Sequence, residues 1–308
     1  MTNKQRCHSS QNSETSVCLI YLNEVISSTP RGDHRVIQPL PELACCGKFP
    51  FFVTNYLEKG PDDNYRNTCC VDGNTAVHQA MGYFGYTRIV ILRLLLEKGI
   101  DINARDILGN TALHLAVDSS GSSTESVVRL LLEHNIDVNI QNQKGHTALH
   151  LASKRGYDAI IRELLNKDAK VDVQDNSGKT ALHIAIKCDY RSVASILLDN
   201  GANVNAQDLR GLSGLHIAIK LEDHAMARLL IGNGADAGLQ DIYGRTVLHI
   251  VMRSNDRTIV ELLLKNGANP DIPDRNGNTA RALDVHYHFE TLLFEAGRRN
   301  AQAATLCS

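Results

Sequence analysis

Apolar residues recur along the chain in two alternating kinds of short stretch. In "ALHIAIK" (181–187) they fall on one face of a helix, directly after Thr180, a residue type that caps helix N-termini. A second amphipathic stretch, "RSVASILLDN" (191–200), follows a short turn, and Gly201 suits the left-handed end of a helix. The polar segment "ANVNAQDLRG" (202–211) then predicts an extended turn. The pattern therefore predicts a helix–turn–helix unit with a loop leading to the next unit.

The same unit occurs seven times. Its first helix is preceded or opened by the octapeptides "GNTAVHQA" at Gly73, "GNTALHLA" at Gly109, "GHTALHLA" at Gly145, "GKTALHIA" at Gly178, "GLSGLHIA" at Gly211, "GRTVLHIV" at Gly244 and "GNTARALD" at Gly277. The first two steps are 36 residues long and the other four are 33. Because one unit cannot bury its own apolar face, the copies are expected to stack.

This pattern resembles the ankyrin repeat, whose signature is Thr-Pro-Leu-His-x-Ala on a 33-residue period. The resemblance covers roughly residues 67–297 and implies an all-α ankyrin-repeat solenoid of helix-turn-helix units joined by β-turn or hairpin loops. It also implies that the signature histidine forms hydrogen bonds around the turn between repeats. The last unit reads Thr279-Ala280-Arg281-Ala282, and its charged residue fits a terminal unit with one face in water.

The repeat boundaries predict the organisation of the chain. The three extra residues of the longer units fall between the two helices, in 82–87 and 118–125. The segment 51–67 mirrors the end of a repeat, which indicates a degenerate copy. The predicted divisions are a disordered polar tail over 1–38, a degenerate N-terminal capping repeat over 39–66, an ankyrin-repeat domain over 67–300 and a short tail over 301–308.

Composition narrows the class of protein further. The formal net charge of −2 gives no general reason to expect nucleic-acid binding, and no apolar run is long enough to span a membrane. The N-terminus lacks the apolar core of a secretory signal, so a cytoplasmic or nuclear protein is expected. The eight cysteines form no Cys-x-x-Cys pair, which favours reduced thiols over a zinc site for the adjacent pairs Cys45-Cys46 and Cys69-Cys70.

Catalytic motifs find little support. Six histidines share one repeat slot and cannot converge on one metal ion, namely His78, His114, His150, His183, His216 and His249. The "GKT" at 178–180 lacks the upstream glycine of a phosphate-binding loop, because Val173 stands there. The cluster "HYHFE" (286–290) is interpreted as a solvated face. We therefore expect neither an enzyme nor a cofactor, with an enzyme site in the groove as the alternative.

A binding surface is predicted instead. The second residue after the signature "LHxA" segment is basic in four consecutive units, at Lys154, Lys187, Lys220 and Arg253. Further candidates lie beside this series: the basic residues Arg155, Lys144, Lys179, Arg210 and Arg245, and the apolar turn residues Leu209, Leu212, Ile242 and Tyr243. Such a surface favours an acidic or phosphorylated protein segment over nucleic acid. An ordinary solvated face is the alternative, since basic residues are common on exposed helices.

The sequence therefore predicts a protein-binding scaffold or adaptor. A regulator similar to the inhibitory ankyrin proteins of transcription factors is a third hypothesis. The absence of a DSGxxS phosphorylation motif from the N-terminus counts against it.

Overall fold

The computed structural model describes residues 75–83, 85–119, 121, 123–252, 256–284 and 289–306. These residues form thirteen α helices, one short 3₁₀ helix at Arg281–Leu283 and two isolated β-bridges. The chain divides into two compact units, Met1–Ile136 and Asp137–Ser308, and each is described by itself. The predicted tail over 1–38, the degenerate repeat over 39–66 and the two adjacent cysteine pairs lie outside the described residues.

The first unit contains two helix pairs. Its helices are α1 (Ala76–Ala80), α2 (Gly85–Glu97), α3 (Ala112–Asp118) and α4 (Thr124–Glu133). The first helices of the two pairs, α1 and α3, pack against each other, and so do the second helices, α2 and α4. Residues 119–123 separate α3 from α4, whereas only 188–190 separate the corresponding helices of a 33-residue unit. The prediction that the longer repeats expand between their helices is confirmed here.

The second unit continues the same arrangement. Its helices are α5 (Ala148–Arg155), α6 (Asp158–Leu165), α7 (Ala181–Lys187), α8 (Arg191–Asp199), α9 (Gly214–Lys220), α10 (His224–Gly232), α11 (Val247–Val251), α12 (Arg257–Lys265) and α13 (Glu290–Leu306). The odd-numbered helices α5 to α11 pack side by side in one layer, and each is covered by the second helix of its pair. Leu164, Leu197, Leu230 and Leu263 of the second helices are fully buried. Apolar side chains from both layers therefore form the core, as the pattern predicted.

The signature histidine joins each first helix to the following turn. In α7, the backbone N–H of Thr180 donates to Nδ1 of His183 at 3.2 Å, and the Thr180 hydroxyl lies 2.9 Å from the same nitrogen. The other ring nitrogen, Nε2, lies 3.1 Å from the carbonyl oxygen of Leu212 in the next turn. His150, His216 and His249 make the same three contacts. The role that the resemblance implied for these histidines is confirmed.

The turns are tied to one another by their backbones. Within one turn, the N–H of Asp175 donates to the carbonyl of Lys179 at 2.8 Å. Between turns, the N–H of Leu209 donates to the carbonyl of Ser177 at 3.0 Å. Gly178 permits this approach, because a Cβ there would lie 2.6 Å from the backbone nitrogen of Leu209. The turns consequently form a continuous hydrogen-bonded edge along the second unit.

The last helix is longer than expected. Helix α13 packs on α12 and continues to Leu306, six residues past the predicted domain boundary at residue 300. The segment "RNAQAATL" is rich in alanine and other helix formers, so nothing in its sequence ends the helix earlier.

Candidate protein-binding surface

Three lysines occupy equivalent positions on neighbouring helices of the second unit. Lys154 lies in the last turn of α5, and Lys187 and Lys220 are the final residues of α7 and α9. All three side chains are exposed. Because α5 packs on α7 and α7 on α9, the three lysines follow one another along the stack. We call this set the basic row.

Within the described part of the chain, the basic row has no ion-pair partner. None of the ion pairs among the described residues includes Lys154, Lys187 or Lys220. By contrast, Arg191 on a second helix pairs with Asp223 at 3.0 Å, and Arg281 pairs with Asp271 at 3.0 Å. The helix C-terminus favours a cation at each position of the row, but it neutralises no full charge. The row is therefore a set of exposed cations open to an external anion.

The ammonium group of Lys220 is influenced by charged side chains of the neighbouring turns. Its partial burial lowers the pKa of the ammonium group, and the positive charges of Arg245 and Arg210 lower this pKa further, against the opposing effect of Asp241 and Asp208. The positive charge at this end of the row therefore interacts with the positive charges of Arg210 and Arg245 in the adjacent turns. An anionic group bound here would relieve this repulsion between like charges.

Apolar side chains project from the same turns. Leu209 is 72% exposed, Tyr243 is 58% exposed and Ile242 is 39% exposed. The guanidinium carbon of Arg245 lies 4.8 Å from the centre of the Tyr243 ring, so the ring is held by a cation–π contact. We call Leu209, Ile242 and Tyr243 the apolar tips. Exposed aromatic and aliphatic side chains beside cations are typical of protein interfaces.

A buried carboxylate positions Arg245. Asp241 is 5% exposed and accepts hydrogen bonds from Arg245 Nη2 at 2.7 Å and from Nε at 3.0 Å. Burial by itself would raise the pKa of the Asp241 carboxyl, but hydrogen bonds from the Arg245 side chain and from the backbone of Arg245 and Tyr243 outweigh it and lower this pKa. Arg245 is therefore partly engaged inside the turn, and Asp241 fixes where its guanidinium lies under Tyr243.

Several predicted residues are exposed as expected, and one is not. Lys144, Arg155 and Arg210 are exposed, while Lys179 is half-buried. The prediction that Leu212 is an exposed turn residue is wrong, since its side chain is only 4% exposed. Leu212 follows the turn glycine, a slot that is half-buried when it holds Lys179 or Arg245, and a wholly apolar side chain can bury there completely. Arg253, the fourth predicted member of the basic series, lies outside the described residues.

The sequence analysis missed Arg275. Its backbone N–H donates to the carbonyl of Tyr243 at 3.0 Å, and its exposed side chain begins beside Gly244. No ion pair of the described residues includes it. The 33-residue spacing from Ile242 places Arg275 in the same turn slot and could have identified it.

We next considered a metal site, a reactive thiol and a membrane-spanning helix in the described part of the chain. There, no group of three His, Cys, Asp or Glu side chains could hold a metal ion. Cys188 is a free, exposed thiol. Of the cluster at 286–290 that we interpreted as a solvated face, residues 286–288 lie outside the described residues. Glu290 is exposed, but Phe289 is only 3% exposed, so the interpretation is wrong for this residue, whose ring packs in the core at the start of α13. Among the described helices, none has both the length and the apolar character needed to cross a bilayer.

The comparisons with known proteins identify the class. The family model for ankyrin repeats matches residues 42–142, 122–208 and 215–291, which is well over half of the chain. The chain therefore belongs to the ankyrin-repeat family, and the all-α ankyrin fold is confirmed. No curated protein sequence matches it.

A solved structure gives a more particular likeness. The chain is similar to the ankyrin repeat domain of Bcl-3, described as a unique member of the IkappaB protein family. The two share 27% identity with a TM-score of 0.63, over 72% of this chain and 99% of that domain. Ankyrin repeats are generally protein-interaction modules, and the fold is typically non-enzymatic.

Proposed function

We propose that this protein is a scaffold or adaptor, and that its second unit binds a partner protein through the basic row and the apolar tips. The observation that carries the proposal is the basic row itself, three exposed lysines at one repeat position without a carboxylate partner among the described residues. Exposed charges of one sign guide association and select partners more than they add affinity.

The chemistry of the surface indicates the chemistry of the partner. The cations favour an acidic or phosphorylated segment, and the apolar tips favour one or two hydrophobic anchors in that segment. We place this activity in the cytoplasm or the nucleus, with no catalytic step and no cofactor. Nucleic acid is a weaker candidate, because the chain as a whole carries a net charge of −2.

The experiment is affinity capture from an extract of the source organism, with a matched pair of charge reversals. The row variant is K154E, K187E and K220E. The outer variant is K167E, R228E and K265E, three exposed basic residues of the second-helix layer or its following turn, so both variants change the net charge equally. Proteins that wild type and the outer variant retain, but the row variant loses, are the expected result. Capture should also weaken at about 0.5 M salt, where the Debye length is only a few ångströms. Equal capture by both variants would refute the proposal.

A regulatory role is the second candidate, and the likeness to the Bcl-3 ankyrin domain favours it. In this role the second unit would bind a regulator of transcription. It is tested by adding the purified chain to such a captured partner on its DNA site. A change in the partner's DNA affinity, absent with the row variant, would support it, whereas unchanged DNA affinity would exclude regulation by this route.

A further inference from the structure

Phe294 is an exposed aromatic residue in α13, the last helix of the second unit. It is 55% exposed, although a terminal repeat ordinarily presents a polar outer face to water. Counted back in steps of 33 residues, the same slot of the earlier second helices holds Glu261, Arg228, Ser195 and Arg162. None of these four polar residues is buried, so the slot faces outwards in every repeat. The aromatic ring at 294 is therefore the exception that needs a physical reason.

The surface around Phe294 combines this projecting ring with a hollow. A cavity of about 410 Å³ lies beside the ring and is lined by Arg281, Asp284, Glu290, Thr291, Leu293 and Phe294. Asp271 engages the Arg281 guanidinium, accepting from Nε at 3.0 Å and from Nη2 at 3.3 Å. Asp284 accepts the Phe289 N–H at 2.8 Å. Because these wall charges have partners within the chain, the cavity suits an apolar side chain.

Glu290 and Arg298 flank Phe294, four residues before it and four after it on α13. Residues four apart lie on the same side of a helix, so the three side chains form one stripe. All three are exposed, and the guanidinium carbon of Arg298 lies 6.0 Å from the centre of the Phe294 ring. No ion pair among the described residues includes Glu290 or Arg298. The stripe thus carries one negative and one positive charge, equally spaced from the ring.

This stripe is complementary to a second copy of itself in the antiparallel direction. A two-fold axis at Phe294 would bring residue 290 of one copy level with residue 298 of the other. At a rise of about 1.5 Å per residue, each charge lies about 6 Å along the helix from the axis, so two Glu290–Arg298 pairs would form together. The same axis would direct each Phe294 ring towards the other copy's cavity, since an isologous interface uses one patch twice. A parallel pairing would place like charges together.

We propose that two copies of this chain associate through the outer face of α13, packed antiparallel about a two-fold axis at Phe294. Burial of the two rings favours association, and the two Glu290–Arg298 pairs select the antiparallel direction. One helix face buries less area than a standard interface, so the dimer is expected to dissociate in the micromolar range. The interface uses no residue of the basic row or of the apolar tips. A dimer would therefore present two basic rows to a partner.

The test measures the mass of the full chain by sedimentation equilibrium across the micromolar range. Wild type should change from monomer to dimer as its concentration rises, whereas Phe294→Asp should remain monomeric because it brings two carboxylates together at the axis. Glu290→Arg loses two ion pairs, each contributing roughly a factor of two, and adds two like-charge contacts of similar size, so its dimer should be about sixteenfold weaker. Arg298→Glu should weaken the dimer equally, although it changes the net charge in the opposite direction.

Restored pairing makes the test specific to this geometry. A chain carrying both E290R and R298E should recover the wild-type dissociation constant. A mixture of the two single variants should form a heterodimer in which both ion pairs are intact, which also shows that each single variant folds. Arg228→Glu, a charge reversal in the slot of Phe294 two repeats earlier, should leave the dimer unchanged.

Three results would overturn this inference. Wild type could stay monomeric throughout the micromolar range, which would leave Phe294 to a different protein. Phe294→Asp could dimerise like wild type, or the double reversal could be as weak as the single ones. None of these results bears on the proposed function, because every variant leaves the basic row and the apolar tips intact.

Discussion

Acid should unfold this protein through the signature histidines, and His183 offers the clearest test. Its Nδ1 accepts the Thr180 N–H, and its Nε2 therefore carries the proton that is donated to the Leu212 carbonyl. Both nitrogens of the neutral ring thus form hydrogen bonds. Protonation at Nδ1 would place its N–H against the N–H of Thr180, so this hydrogen bond would be lost. Burial lowers the pKa of His183 below its ordinary value of 6.5, as it does for His150 and His216.

The direction of the pH effect follows from this lowered pKa. As the pH falls through about 6.5, the unfolded chain takes up a proton at each of these histidines before the folded chain does, so stability falls with the pH. Above about pH 6.5 neither state is protonated and the effect vanishes. At pH 5.5 each histidine that stays neutral in the folded state contributes a loss of about 1.4 kcal/mol, and three of them contribute about 4 kcal/mol.

The assay is urea unfolding followed by circular dichroism at 222 nm between pH 5.5 and 7.5, since the chain contains no tryptophan. The control is His183→Gln, which keeps a donor and an acceptor but does not titrate. This variant should be less stable at pH 7.5 by about 1 kcal/mol, the contribution of a typical buried hydrogen bond. Its loss between pH 7.5 and 5.5 should be smaller than that of wild type, by at most about 1.4 kcal/mol.

A direct measurement of the ring completes the test. The ¹⁵N shifts of the His183 imidazole should report the Nε2–H form at pH 7.5, with the ring less than half protonated at pH 6.5. The reasoning is refuted if the wild type and His183→Gln lose the same free energy of unfolding over this range, or if the ring titrates at its ordinary value.

Two further predictions concern stability within the second unit. Gly178 and Gly201 both have positive φ angles, of 76° and 82°, but only Gly178 has neighbours where a Cβ would lie. Alanine at either position should lower the free energy of unfolding by about 1 kcal/mol through the backbone, and Gly178→Ala by about 2 kcal/mol more through its collision with Leu209; similar losses in urea unfolding would show that the turns do not pack as described. Ser153 is wholly buried, and its hydroxyl has no hydrogen-bond partner among the described residues. Ser153→Ala should therefore raise the free energy of unfolding by about 1 kcal/mol, and a loss of stability in the same assay would contradict this.

Much of the fold could be predicted from the sequence because its determinants are local and repeated. Thr180 caps its helix through residues only three positions away, and Gly201 ends the next helix within a few residues. Each such feature recurs at a fixed interval, so every further copy strengthens the prediction of the same helix–turn–helix unit. The repeat also identified the exposed positions of Lys154, Lys187 and Lys220 correctly.

The tertiary structure decided which residues of successive repeats, about 33 positions apart, contact one another and which remain exposed. Leu212 is buried while Leu209, three residues earlier, is exposed, and both read as turn residues in the sequence. Arg275 meets Tyr243 only because successive turns share backbone hydrogen bonds. The lack of an ion-pair partner for the basic row among the described residues likewise depends on which side chains lie near it after the repeats have stacked. The sequence alone determined the repeated unit, because short-range hydrogen bonds and apolar periodicity specify it. The binding surface required the tertiary structure, because exposure and pairing of charges are set by packing between repeats.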